Sequence, residues 1–71
     1  MALNFECLHD HTAGTMTCSW LLGRVQLVEY FRLAKTYVLI DDVVKCCYDN
    51  LTIDEFVRLQ CACQRAVAEL L

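Results

Sequence analysis

The sequence predicts a small all-α domain of three helices behind an irregular N-terminal arm, with an apolar face buried in an oligomer. Three observations carry that expectation. Apolar residues recur at helical spacing between residues 17 and 37. A capping box, Thr52-Ile53-Asp54-Glu55, precedes an amphipathic run. Hydrophobic residues make up 58% of a chain of only 71. A body of this size has much surface for its volume. Ordering costs roughly 1.5 kcal/mol per residue, so a core of fewer than about 70–80 residues rarely leaves a surplus without a staple or a partner.

Residues 1–16 read as the arm. Leu3, Phe5, Cys7 and His9 alternate, so in an extended chain they share one face. Thr12-Ala13-Gly14-Thr15 carries turn residues with Gly14 as the pivot. Residues 17–71 read as the helical domain, with helices at about 17–37, 42–49 and 53–70. In the first, Trp20, Leu27, Phe31, Ala34 and Val38 fall on one stripe together with Gly23. Leu21, Val25 and Val28 fall on another side, as expected of a helix that packs both internally and against a second chain. Tyr37-Val38-Leu39-Ile40 also suits a short strand, but no second strand stands out to pair with it, so the helical reading is preferred.

Asp41 or Asp42 caps the short second helix, whose inner face carries Val43, Cys46 and Cys47; Asp49-Asn50 stops it. The third helix starts at the capping box. It presents Ile53, Phe56, Leu59, Cys63, Val67 and Leu70 on one face, with Asp54–Arg58 and Arg65–Glu69 spaced for pairing opposite.

The net charge is −3, and Arg24, Arg32, Lys35, Lys45, Arg58 and Arg65 are spread singly. Phosphate binding needs clustered cations, so nucleic acid is not an expected partner. No membrane span is expected, because charges interrupt the longest apolar stretch. Met1–Cys7 lacks the basic start and apolar run of a secretory leader. The expected location is therefore intracellular, cytoplasmic or nuclear.

Six cysteines and two histidines are the conspicuous chemistry. Cys7, His9 and His11 project to one side of an extended arm, and a turn at Gly14 can return Cys18. Two thiolates and two imidazoles are the donor set of a tetrahedral zinc site. The competing reading leaves His9 and His11 solvated and treats Cys46, Cys47 and Cys63 as small buried hydrophobes. Cys61 and Cys63 sit roughly 200° apart on a helix, so the two do not share a ligand. A cysteine beside histidines also suggests a nucleophile, but short helices offer little concavity to hold a substrate, and an enzyme is not expected.

The leading expectation is a non-enzymatic protein–protein interaction module without a cofactor, accessory or regulatory in role, a viral one included. It buries an apolar helix face in a homodimer or larger complex. Its expected interface residues are Trp20, Leu27, Tyr30, Phe31, Tyr37, Leu70 and Leu71. The alternatives are a zinc-stapled regulatory module built on Cys7, His9, His11 and Cys18, and a secreted, disulfide-linked miniprotein.

Overall fold

Thr15-Met16-Thr17-Cys18-Ser19-Trp20 alternates hydroxyl and large apolar side chains without a break, the period of a half-buried strand rather than a helix. The computed structural model, which describes residues 5–70, follows that period. It is a five-stranded antiparallel sheet followed by one helix, with the strands in chain order across the sheet. The strands are β1 (Glu6–Asp10), β2 (Thr15–Trp20), β3 (Val25–Tyr30), β4 (Lys35–Ile40) and β5 (Val43–Asp49), and the helix is α1 (Ile53–Leu70).

The all-α expectation and the helical bundle that goes with it are therefore corrected. The span read as a first helix holds most of β2, all of β3 and the start of β4, and the span read as a second helix is β5. The described part of the arm is not irregular, because β1 pairs along its length with β2. When more than half of a chain is apolar, a stripe at 3.6 spacing arises by coincidence. The strand reading of Tyr37–Ile40 lacked partners only because its neighbours had been read as helix. Cys18, Leu27 and Val38 do meet, but as cross-strand partners along one row.

The turns explain why the strands are hard to see. β1–β2, β2–β3 and β3–β4 are joined by four-residue loops, and β4–β5 by Asp41-Asp42 alone. Both aspartates have positive φ, 51° and 65°, as a type I′ hairpin turn requires. Leu21, Leu22 and Ala34 also adopt the left-handed region, where a non-glycine residue costs roughly 1–2 kcal/mol. Gly14 and Gly23 take positive φ as glycines readily do, and Gly14 is the turn that the sequence signals. Its φ is +71° and a Cβ there would lie 3.3 Å from the Arg32 side chain.

The third helix forms as expected. The Thr52 N–H donates to Glu55 Oε1 at 2.9 Å and the Glu55 N–H to Thr52 Oγ1 at 3.1 Å. The bond from the Thr52 N–H first, and the Thr52 hydroxyl next, favour the charged carboxylate and hold the Glu55 carboxyl below the usual range. Phe56, Cys63 and Val67 are buried and Leu59 half-buried, whereas Ile53 is 84% exposed. Ile53 is the first helical residue and lies beyond the edge of the packed face. Among the described residues the ion pairs are Arg24–Asp41 and Lys35–Asp49, not the two helical pairs that the spacing suggests.

The core lies between α1 and one face of the sheet: Cys18, Trp20, Val25, Leu27 and Val38 below, Phe56, Cys63 and Val67 above. Trp20 is fully buried, and its indole N–H donates to Gln64 Oε1 at 2.6 Å. That bond ties helix to sheet and satisfies a donor that is costly to bury unpaired. The described helix is not long and apolar enough to cross a membrane.

Candidate functional site: the uncovered sheet face and a thiol pair

Period-two alternation gives every strand a second face, and here that face has no covering element. Val28, Tyr37 and Cys47 form one row across β3, β4 and β5; Gln26, Leu39 and Val44 form the next; Tyr30, Lys35 and Asp49 form a third. Val28, Tyr30, Leu33, Tyr37, Leu39 and Val44 line a shallow, mainly apolar groove. Tyr30 and Tyr37 meet edge to face, ring centroids 5.5 Å apart, across neighbouring strands. At the end of the groove Lys35 Nζ and Asp49 Oδ1 are 2.8 Å apart. That pairing raises the Lys35 pKa and compensates both charges at that end of the groove.

The two edges of the sheet are different. β5 is exposed along its length, but Lys45 is an extra residue opposite the Val38–Leu39 step, making a bulge. A bulge and a lysine are devices that discourage strand addition. β1 has five residues, three of them Glu6, His9 and Asp10.

The expected interface residues divide. Tyr30 and Tyr37 lie in the groove. Trp20 and Leu27 are 0% exposed and belong to the core, so they are corrected to structural residues. Phe31 is in the β3–β4 loop, exposed, with its ring against His9 at 5.1 Å. The Leu70 side chain and Leu71 lie outside the described residues, as does Leu3. Val28, Leu33, Leu39 and Val44 were missed as groove residues. Their signal was alternation, since Val28 and Tyr30 share parity on β3 and Tyr37 and Leu39 share it on β4.

The four expected zinc ligands come together as two pairs. The turn at Gly14 returns Cys18 to Cys7, directly opposite in register, with the sulfurs 3.4 Å apart. His9 and His11 stack with centroids 4.2 Å apart. Among the described residues no three His, Cys, Asp or Glu groups are placed to hold one metal ion. All six cysteines are free; Cys18 and Cys63 are buried, while Cys7, Cys46, Cys47 and Cys61 are exposed. Cys46 and Cys47, expected in the core, lie exposed on edge strand β5, Cys46 on the α1 side of the sheet beside Val38 and Cys47 on the uncovered side beside Tyr37. Burial, reinforced by the neighbouring Cys7, pushes the Cys18 thiol up to about 12, and burial also raises Cys63. Cys18 thus rests as the protonated thiol at neutral pH and is a poor nucleophile toward reagents in solution.

No protein-family model, curated protein or solved structure matches this chain.

Proposed function

We propose that this protein is a non-enzymatic interaction module that self-associates, docking the uncovered sheet face of one copy on that of another. The supporting observation is the groove of Val28, Tyr30, Leu33, Tyr37, Leu39 and Val44 on a face that no other described element covers. An apolar sheet face is ordinarily buried against another element, and α1 covers only one of the two faces here. A second copy supplies the missing layer by packing sheet on sheet at a separation of about 10 Å.

Area and charge favour a second copy over a short peptide. Strands about 4.8 Å apart with about 3.3 Å per residue give a five-stranded face on the order of 500 Å² in projection. A stable interface takes about 800 Å² of accessible surface from each partner, so most of this corrugated face has to be used. An equally flat face achieves that and a single strand does not. The Lys35–Asp49 pair means that little uncompensated charge is desolvated on docking. The blunted edges direct association to the face and away from strand addition. The proposed setting is a reducing intracellular compartment, where thiols such as Cys7 and Cys18 persist.

Sedimentation across a dilution series tests the reading. The wild type is expected to dissociate from dimer to monomer on dilution. Leu39→Lys should shift the midpoint upward at least tenfold in concentration, while Ile53→Lys on the helix leaves it unchanged. A wild type that stays monomeric at every concentration overturns it, as does a dimer insensitive to Leu39→Lys.

A further inference from the structure

The contact between Cys7 and Cys18 has a chemistry of its own. The two residues face each other in the β1–β2 ladder, and their sulfurs are 3.4 Å apart. Directly opposed residues of antiparallel strands have Cα separations of about 4.5 or 5.5 Å, and both values lie inside the range a disulfide spans. Only a modest approach of the sulfurs, to about 2.05 Å, is needed. The two thiols are unequal: Cys7 is exposed and Cys18 is 1% exposed. The Gln60 amide N–H₂ points at the Cys18 sulfur, 4.0 Å away.

We propose that Cys7 and Cys18 form a modification site, a dithiol that a small aliphatic disulfide such as oxidised glutathione converts into a cross-strand disulfide, fastening the β1 edge to the sheet. The exposed Cys7 thiolate attacks one sulfur of the small disulfide. A bond forms between them, the small disulfide's S–S bond breaks, and one small thiolate leaves. Cys18 then attacks the Cys7 sulfur of this mixed disulfide, the Cys7–Cys18 bond forms, and the second small thiolate leaves. The two protons lost by Cys7 and Cys18 go to the two leaving thiolates. The protein pair is oxidised by two electrons and the small disulfide is reduced to two thiols. The second step gains from proximity, because Cys18 already touches its target. Burial bars a bulky oxidant from Cys18, which makes Cys7 the point of entry, and Cys18 gives up its proton only as it attacks and the second small thiolate departs.

The bond matters for β1 because all five residues of that strand are exposed and β2 is its one strand neighbour. Cross-linking removes the freedom of β1 to peel away.

The test uses the reduced full chain, exposed to oxidised glutathione at mildly alkaline pH, quenched with acid, and examined by intact mass and peptide mapping. The expected product has lost two hydrogens, about 2 Da, as one Cys7–Cys18 link, with the melting temperature raised by about 10 °C. Cys7→Ser, at an exposed position, should abolish both changes. Cys61→Ser, also exposed, should leave both intact. A product that stops as glutathione on Cys7, a first link between other cysteines, or retention of all six thiols overturns the proposal.

Discussion

The sheet has two faces made from the same strands, and they have met different fates. On one, Cys18, Trp20, Leu27 and Val38 lie under α1 and are shut off from solvent. On the other, Val28, Tyr37, Leu39 and Val44 line an open groove. The second face is apolar only over β3–β5, since Thr15, Thr17 and Ser19 make its β2 part polar, but there it is left without cover. A single helix spans the middle of one face, and β1 and β5 stay exposed along their whole length. Burial in this protein is limited by the number of covering elements, and the proposed second copy would supply another.

The sharpest way to break the comparison is to make the same change on each face. Leu27→Ala should cost about 2–5 kcal/mol, because it opens a cavity in a closed core. Leu39→Ala, measured on dilute monomer, should cost about 1 kcal/mol or less. Equal losses in denaturant titrations would erase the distinction between the faces.

Next in size is the link between helix and covered face. Gln64→Ala leaves the buried Trp20 indole N–H without its acceptor and should cost about 1–3 kcal/mol. Thermal unfolding measures the loss, and the Trp20 fluorescence should change with it.

Thr52→Ala should cost about 1 kcal/mol by removing the helix cap. The capping partner adds a pH dependence with a definite sign. Bonds to Thr52 hold the Glu55 carboxyl below its ordinary value, so its contribution is complete above the unfolded carboxyl pKa. That contribution disappears as the pH falls through the lowered folded value. Amide exchange in the first turn of α1 should accelerate over that acid range in the wild type and lose this dependence in Glu55→Gln, which has no carboxyl to titrate, while Thr52→Ala keeps the backbone donor and only weakens it.

The smallest expected effect is a gain. Leu22 is 87% exposed with φ 56°, and Leu22→Gly should stabilise by about 0.5–1 kcal/mol through relief of the left-handed conformation. A loss in the same titration would show that Leu22 packs against something.

These contrasts also explain what could be read from the chain. Helix α1 was legible from its start to its buried face, because Thr52 and Glu55 mark the N-terminus and Phe56, Cys63 and Val67 recur at one period over 18 residues. The sheet was not. Its strands are six or so residues long, and their loops carry little punctuation beyond Gly14 and Gly23. Leu21-Leu22 and Ala34 turn the chain with residues that seldom adopt positive φ, Asp41-Asp42 lacks the glycine usual in a two-residue turn, and no proline marks a boundary. Apolar residues on both faces of β3 and β4 then blur period two into an apparent helical stripe. Of the candidate site, Tyr30 and Tyr37 were singled out as anchors, and the return of Cys18 to Cys7 was visible in Gly14. Val28, Leu39 and Val44 needed the strand parity that the helical reading had concealed.

The most direct measurement follows the methyl resonances of selectively labelled protein over a concentration series. The account predicts that the Val28, Leu39 and Val44 methyls shift and lose solvent contact as concentration rises, while those of Leu27 and Val67 stay in place. Shifts confined to α1 or to the outer edge of β5, or no shifts at all, would contradict it.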